Sequence, residues 1–270
     1  MTEGTLGVIG GGVMGEALLS RLIDQNIFAA SHILVSDPQP ARREFLEQTY
    51  GVSTTTDNAQ VVAQSNTILL AIKPQMLPPV AEDLAARAPQ NPSPLGLSIL
   101  AGIPLARLES AFPGWAMVRA MPNTPATVGA GVTALAPGAS TTADQLAWAK
   151  TIFASVGEVV EVPESLMDAV TALSGSGPGY VALMVEALAD GGVAVGLPRA
   201  TALQLAIQTL KGTAELLQQS QMHPGVLKDR VTSPGGTTIA GIAQLEAAGL
   251  RSALIEAVRS AHRRSVELGQ

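Results

Sequence analysis

The chain has 270 residues, a net charge of −6 at pH 7 and no cysteine. An acidic chain is a poor general binder of nucleic acid, and a chain without cysteine forms no disulfides, thiolate metal sites or cysteine nucleophiles. Only 14% of the residues are charged, against about 25% in typical globular proteins, which favours large contacts between subunits. No basic and apolar leader precedes Leu6, so we expect a soluble, cytoplasmic protein with no membrane partner.

The first 162 residues alternate short apolar runs with stretches of helical spacing. Such alternation is typical of βαβ units, so it predicts an α/β fold with a parallel, doubly wound Rossmann-type sheet. We assign residues 1–162 to this dinucleotide-binding domain. The strands are predicted at residues 5–9, 33–35, 67–72, 97–100 and 115–118.

A glycine-rich motif joins the first predicted strand to the first predicted helix. Gly10, Gly12 and Gly15 form the pattern G-x-G-x-x-G. In this pattern the first glycine permits a tight turn, the second lets a pyrophosphate approach the backbone, and the third brings helix and strand together. An acidic residue about 20 positions further on completes the fingerprint, so the motif strongly indicates a dinucleotide.

The end of the second predicted strand should meet the adenosine ribose of that cofactor. Asp37 favours NAD, because a carboxylate bonds the 2′-hydroxyl and repels a 2′-phosphate. Ser36, Arg42 and Arg43 could instead hold that phosphate, and Pro38 could turn Asp37 away. The residues by themselves leave the choice between NAD and NADP open.

Two later loops also place polar groups near the expected cofactor. Lys73 and Pro74 end the third apolar run at the carboxyl edge of the sheet, where open α/β sheets bind ligands. Asn123 and Thr124 lie in a loop stiffened by two prolines and offer hydrogen bonds near a nicotinamide. Ordinary turn chemistry explains this second loop nearly as well.

Strand signals vanish after residue 162, and residues 163–270 are predicted as an all-helical dimerisation and substrate-binding domain. Breaks between its helices are predicted at residues 174–179, 196–198, 223–225 and 233–238. The helix after residue 179 is apolar nearly all round, and such a helix must be buried. A helical domain of this size hides that surface poorly alone, so we expect an intertwined dimer or a larger assembly.

Residues 231–239 form the most informative segment of this second half. Small hydroxyl residues, a proline and two glycines lead directly into an apolar run, which predicts a tight loop that feeds a helix start. Free backbone N–H groups and the helix dipole suit a small anion there. A nucleotide loop and a small-anion loop in one chain are the layout of a two-domain dehydrogenase or reductase.

The chain lacks an obvious catalytic proton relay, since His32, His223 and His262 are scattered along it. Reduction of a ketone usually needs a resident proton donor. The nitrogen of an imine can arrive already protonated, so that positioning supplies much of the acceleration. The sequence therefore favours an imine as the acceptor of hydride.

Taken together, these segments resemble pyrroline-5-carboxylate reductase, the last enzyme of proline biosynthesis, over nearly the whole chain. The resemblance implies reduction of L-1-pyrroline-5-carboxylate to L-proline, with NADP(H) preferred and NAD(H) as the alternative. It also implies self-association through the C-terminal helices, as a homodimer or a homodecamer. The matching segments are residues 8–15, 71–74, 98–102, 121–125, 174–180, 189–192, 196–199, 223–225 and 233–239.

The same resemblance implies the site residues, and none of them is a metal ligand. Thr238 would hydrogen-bond the ring nitrogen of the substrate, and Lys73 is a second catalytic candidate. The other substrate contacts that the resemblance implies would be Glu164, Ser233, Gly235, Gly236 and Thr237, and we add Arg230 because it precedes this loop in the sequence. The cofactor contacts that it implies would be Gly10, Gly11, Gly12, Val13, Met14, Gly15, Ser36, Asn58, Ala71, Ile72, Lys73, Pro74, Ile99, Leu100 and Ala101, and the motif reasoning above adds Asp37 and Asn123.

The chain also departs from the family pattern. Gly179 stands where the family usually has alanine, and Asp37 is unusual for the family and leaves the cofactor preference open. Arg230 stands where related enzymes carry other residues and could add a cation beside the substrate carboxylate. One alternative is a hydroxyacid or imine dehydrogenase for another small carboxylate, with Lys73 as its proton donor. The other is a nucleotide sensor or scaffold without turnover.

Overall fold

A computed structural model describes residues 4–87 and 94–269 of the chain. Strands and helices alternate up to residue 161, as the sequence predicts. The strands are β1 (Leu6–Ile9), β2 (Ile33–Ser36), β3 (Ser53–Thr55), β4 (Thr67–Leu70), β5 (Leu95–Ser98), β6 (Ala116–Met121), β7 (Gly131–Pro137) and β8 (Gly157–Glu161). The helices of this part are α1 (Val13–Asp24), α2 (Pro40–Tyr50), α3 (Asn58–Gln64), α4 (Leu77–Arg87), α5 (Leu105–Ala111) and α6 (Ala143–Ala154).

The eight strands form one sheet in the order β3-β2-β1-β4-β5-β6-β7-β8. Every neighbouring pair is parallel except β6 and β7, which run antiparallel. The predicted α/β sheet is therefore confirmed as a mixed, mostly parallel one. The strand order reverses between β1 and β4, and ligands of doubly wound sheets bind at the carboxyl ends of strands beside such a point.

Helices cover both faces of this sheet. The strands are buried on both sides, so they are apolar runs rather than alternating patterns. Val8 packs into one core with Leu18, Leu22 and other buried residues. Its neighbour Ile9 packs into the opposite core, which includes Leu77. The two cores fix the carboxyl edge of the sheet, on which the glycine motif lies.

The regular secondary structure of the described residues after 163 is entirely helical. They are α7 (Met167–Val170), a π-helix (Thr171–Gly175), α8 (Gly177–Ala194), α9 (Arg199–Ser220), α10 (Pro224–Arg230), α11 (Thr237–Ala247) and α12 (Leu250–Gly269). The predicted break at 196–198 falls between α8 and α9, and the predicted breaks at 223–225 and 233–238 fall at the starts of α10 and α11. The predicted break at 174–179 is a π-helix followed at once by α8. A further break at Gly249, which has a φ of +76°, was not predicted.

The chain divides into two compact units, residues 1–175 with 261–270, and residues 176–260. The sheet ends at Glu161, but the short helices that follow belong to the first unit. The predicted domain boundary at residue 162 stays a prediction. In the described part of the chain, no helix combines the length and apolar character that a membrane crossing requires.

The second unit leaves much of its apolar surface open. Within a single chain α8 is not buried, since Leu183 is 66% exposed and Val181 and Leu188 are also exposed. Its contact with α9 buries only a small cluster around Ala189 and Ala202. The uncovered face of α8 needs another chain to be buried.

Candidate active site

The three motif glycines have the geometry that a dinucleotide loop requires. Gly10 has a φ of +100°, and a Cβ there would lie 2.7 Å from the carbonyl oxygen of Ala71. A Cβ on Gly15 would lie 2.6 Å from the carbonyl oxygen of Gly10. Gly12 is the N-cap of α1 and has no atom within 4 Å of its Cβ position. A pyrophosphate can therefore approach the helix start at Gly12, where N–H groups and the helix dipole favour an anion.

The carboxylate of Asp37 binds backbone N–H groups. Its Oδ2 accepts a hydrogen bond from the Gly11 N–H at 2.9 Å, and its Oδ1 accepts one from the Gln39 N–H at 2.9 Å. Arg43 Nη1 donates to the Asp37 carbonyl oxygen at 2.7 Å. Asp37 thus ties the end of β2 to the glycine loop, a role that the sequence did not reveal.

Arg42 is held by a carboxylate of α1. Its guanidinium donates to the carbonyl oxygen of Gly11 and forms an ion pair with Glu16. Burial raises the pKa of Glu16, but hydrogen bonds from Arg42 and Tyr50 outweigh it and hold this pKa below its ordinary value. Burial and the hydrogen bond to Glu16 raise the pKa of Tyr50 to about 12. The Glu16 carboxylate is therefore ionised at neutral pH, and its pair with Arg42 lies next to the predicted ribose position.

The fold brings most of the other predicted cofactor residues to one edge of the sheet. Ser36 ends β2, and its hydroxyl donates to Asn58 Oδ1 at 2.6 Å. Lys73 is exposed and begins the short 3-10 turn Pro74–Met76 that follows β4. Residues 99–101 follow β5. Because β1, β2, β4 and β5 are parallel, their carboxyl ends and the loops after them share this edge.

Asn123 uses both ends of its side-chain amide within the fold. Its Oδ1 accepts a hydrogen bond from the Val132 N–H at 3.0 Å, and its Nδ2 donates to the Ser174 carbonyl oxygen at 3.1 Å. The side chain therefore joins the end of β6 to β7 and to the π-helix. Its role as a cofactor contact stays a prediction.

Glu164 contacts a buried arginine that sequence reasoning passed over. Arg119 lies in β6 and is only 7% exposed. Its Nη1 donates to Glu164 Oε1 at 3.2 Å, and the same oxygen accepts the N–H of Leu105. The available signal was a charged residue inside an otherwise apolar strand, since a buried arginine is almost always paired.

The predicted anion loop is a helix start in the second unit. Gly235 has a φ of +67°, and the Gly236 N–H donates to the Ser233 carbonyl oxygen at 3.0 Å. Gly236 is the N-cap of α11, which begins at Thr237. The first N–H groups of any α-helix lack an acceptor within the helix. The loop leads into a helix as predicted, while its ligand stays a prediction.

Two known family models match separate parts of the chain. A model described as pyrroline-5-carboxylate reductase dimerisation matches residues 164–268. A model described as NADP oxidoreductase, coenzyme F420-dependent, matches residues 5–102. A pyrroline-5-carboxylate reductase of Synechocystis sp. is 59% identical over 265 residues, covering 98% of each chain. The chain belongs to the pyrroline-5-carboxylate reductase family.

Solved structures agree with this membership. A pyrroline-5-carboxylate reductase from Coxiella burnetii is 34% identical with a TM-score of 0.93 and full coverage of both chains. The Plasmodium falciparum pyrroline carboxylate reductase, determined with NADP bound, is 30% identical with a TM-score of 0.86 over the full length of both chains. The predicted family is confirmed, and so is the α/β domain followed by a helical dimerisation domain.

Family membership also confirms the predicted function, that of a pyrroline-5-carboxylate reductase, an oxidoreductase of proline biosynthesis. The N-terminal half is an NADP-binding domain. The dimerisation domain implies that the enzyme associates with itself. The individual site residues remain predictions.

Proposed function

We propose that the enzyme reduces L-1-pyrroline-5-carboxylate to L-proline, with NADPH as the preferred hydride donor. Hydride adds to C5 of the ring, the C=N double bond becomes a single bond, and the nitrogen keeps or gains one proton. The observation that carries this proposal is the open approach at Gly12, on the glycine loop of a chain that belongs to this family. The nicotinamide supplies the hydride when it is bound.

The structure offers a physical reason to prefer NADPH. A carboxylate selects NAD by accepting a hydrogen bond from the 2′-hydroxyl of the ribose. Both carboxylate oxygens of Asp37 already accept backbone N–H groups, which leaves Asp37 less able to serve that hydroxyl. Arg43, on the following helix, supplies positive charge beside it, whereas the charge of Arg42 is already offset by Glu16. The NADP bound in the Plasmodium relative supports the same choice.

The second unit supplies the substrate contacts of the proposal. The substrate carboxylate would accept the N–H groups at the start of α11, helped by the hydroxyls of Ser233 and Thr237. Thr238 would hydrogen-bond the ring nitrogen. Arg230, at the end of α10, is exposed and adds a cation near this loop in sequence. With the substrate held in this way, positioning lowers the barrier to hydride transfer.

We also propose that the functional assembly is a homodimer and that dimers associate further into a decamer. The open apolar face of α8 and the dimerisation family match support the dimer. The decamer rests on the family resemblance alone. Sedimentation velocity on the purified enzyme measures both species directly.

The first test is turnover by the purified enzyme. Loss of absorbance from NADPH, and separately from NADH, is followed after addition of pyrroline-5-carboxylate, with proline assayed as the product. We expect proline to form with both donors and kcat/KM to be higher for NADPH. Higher kcat/KM with NADH would contradict the argument from Asp37. Binding of NADPH without turnover would contradict the reductase itself and favour the sensor.

A further inference from the structure

Arg119 and Glu164 form an ion pair at the carboxyl edge of the sheet. The Glu164 carboxylate of this pair also binds the backbone that follows strand β5. Arg119 lies directly opposite Ser98 in the β5–β6 register. Its guanidinium reaches Glu164, which begins the 3-10 turn Glu164–Leu166. The carboxylate oxygen that receives Arg119 also accepts the N–H of Leu105, the first residue of α5. One carboxylate therefore connects a buried cation of β6 to the start of α5.

The segment between β5 and α5, residues 99–104, is fixed at both of its ends. At the first end, the Ile99 N–H donates to the Leu70 carbonyl oxygen at 3.1 Å, and the Leu100 N–H donates to Ser98 Oγ at 3.4 Å. Leu100 and Ile103 are buried anchors. At the other end, the hydrogen bond from Leu105 to Glu164 holds the helix start. Only the middle of the segment, around Ala101, is exposed.

The last turn of the chain packs on the same segment. A Cβ on Gly269 would lie 3.2 Å from the Gly102 carbonyl oxygen. The turn is itself held by Ser265, which is buried and whose hydroxyl donates to Asp168 Oδ1 at 2.7 Å. Asp168 is the second residue of helix α7 and lies four residues after Glu164 in the sequence. Two separate contacts thus support this part of the backbone, one from Glu164 to Leu105 and one from the end of α12 to Gly102.

The position of this segment in the sheet places it where the nicotinamide of the cofactor is expected. A dinucleotide crosses a doubly wound sheet at the point where the strand order reverses, which here lies between β1 and β4. The glycine loop after β1 and the end of β2 serve the pyrophosphate and the adenosine. The nicotinamide then falls on the side of β4, β5 and β6, and residues 99–104 are the loop at the end of β5.

We infer that Arg119 and Glu164 are positioning residues for hydride transfer, because their pair fixes the segment against which the nicotinamide lies. The inference rests on the proposed function. Neither side chain takes part in a proton or hydride step. Hydride transfer depends steeply on distance and orientation, and a displacement of about 1 Å can lower a rate by about a hundredfold. The part of Glu164 that matters is an oxygen that accepts hydrogen bonds.

The test compares Glu164→Ala with Glu164→Gln. The amide oxygen of glutamine can still accept from Leu105 and Arg119, whereas alanine removes the acceptor. We expect Glu164→Ala to lower kcat by about tenfold or more, with a larger isotope effect on kcat when the transferred hydrogen of NADPH is deuterium. We expect Glu164→Gln to keep kcat within about threefold of the wild type, as one retained hydrogen-bond acceptor predicts.

Glu161→Ala is the matched control. Glu161 pairs with Lys150 at 2.7 Å, both side chains are exposed, and the pair touches no part of the segment. An exposed ion pair contributes little to stability, so this variant should keep the wild-type kcat and isotope effect. Arg119→Lys, which preserves a buried cation, should recover more activity than Arg119→Met.

Several outcomes would overturn the inference. A Glu164→Ala enzyme with wild-type kcat and isotope effect would show that the pair does not position the segment. A Glu164→Gln enzyme as impaired as Glu164→Ala would assign the carboxylate a charge or a proton role instead. Fluorescence of bound NADPH, measured without substrate, reports the nicotinamide environment separately. If the wild type bound NADPH but did not turn over pyrroline-5-carboxylate, the proposed function would fail, while an altered fluorescence in Glu164→Ala would still support positioning.

Discussion

Two side chains that the sequence offers as cofactor ligands are hydrogen-bonded to the protein backbone. Asp37 accepts N–H groups of the glycine loop and of its own turn, and Asn123 joins β6 to β7 and the π-helix. At the scale of the residue, a polar side chain near a ligand site can act on the ligand directly or can shape the backbone that does so. Here the hydrogen bonds favour the second role for both residues.

Thr238 is the residue whose removal tests the substrate site most directly. We expect Thr238→Ala to raise the KM for pyrroline-5-carboxylate and to lower kcat, because one hydrogen-bond partner of the ring nitrogen is lost. The combined effect on kcat/KM should be on the order of 1–3 kcal/mol, or roughly tenfold to a hundredfold. Steady-state kinetics at saturating NADPH measures both constants.

Thr213→Ala is the control for that variant. The Thr213 hydroxyl is exposed and donates only to the Thr209 carbonyl oxygen of its own helix, at 2.7 Å. Its kinetics should match those of the wild type. Unchanged constants in Thr238→Ala as well would remove Thr238 from the mechanism.

At the scale of the element, two glycines of the glycine loop are required for different reasons, one by the fold and the other by the cofactor. Gly10 is required by the backbone, because its φ is +100° and a side chain would press against Ala71. Gly12 has a φ of −67° and ψ of −176°, which alanine adopts freely, and its Cβ position is open. Only a bound ligand would use that space.

This difference predicts opposite results for two alanine variants. Gly10→Ala should lower the free energy of unfolding by about 1–3 kcal/mol and weaken NADPH binding. Gly12→Ala should unfold like the wild type, yet raise the Kd for NADPH by about tenfold or more, because its methyl group occupies the pyrophosphate approach. Thermal denaturation and NADPH fluorescence titration measure the two effects. Wild-type NADPH affinity in Gly12→Ala would place the pyrophosphate elsewhere.

At the scale of the whole molecule, self-association is needed to cover the second unit. Exposed leucines, isoleucines and valines recur along α8 and α9, and exposed apolar patches of this kind mark interfaces. The low share of charged residues agrees with extensive burial between chains. The exposed apolar residues of the two helices are Val181, Leu183, Leu188, Val193, Leu203, Leu205, Ile207 and Leu216.

A charge on this face should therefore weaken the assembly. We expect Leu183→Asp to shift the enzyme toward monomer in light scattering, since burial of one leucine contributes about 1.5–3 kcal/mol and a symmetric dimer loses it twice. Val128→Asp is the control, because Val128 is 76% exposed but lies in the first unit. An unchanged mass for Leu183→Asp, or an equal loss in both variants, would place the interface elsewhere.

The sequence alone determined the features that depend on local spacing. Apolar runs, helical periodicity or fixed spacings between residues mark each of these features. They are the glycine motif, the buried parallel strands β1, β2, β4, β5 and β6, the helical second half and the loop before α11. Strands β3 and β8 were missed because they are short, polar or largely exposed. Strand β7 was missed as well, within the uncharged stretch after residue 120, and nothing local foretold its antiparallel pairing with β6.

Tertiary structure decided what depends on distant partners. Arg119 and Glu164 are 45 residues apart, and Asp37 and Gly11 are 26 apart, so no local pattern could pair them. A buried polar group bonds to a partner that lies within reach. Which partners lie within reach is decided only when the sheet and helices pack together. The local sequence therefore determines the chemistry of the loops, while the fold determines which side chains hold those loops in place.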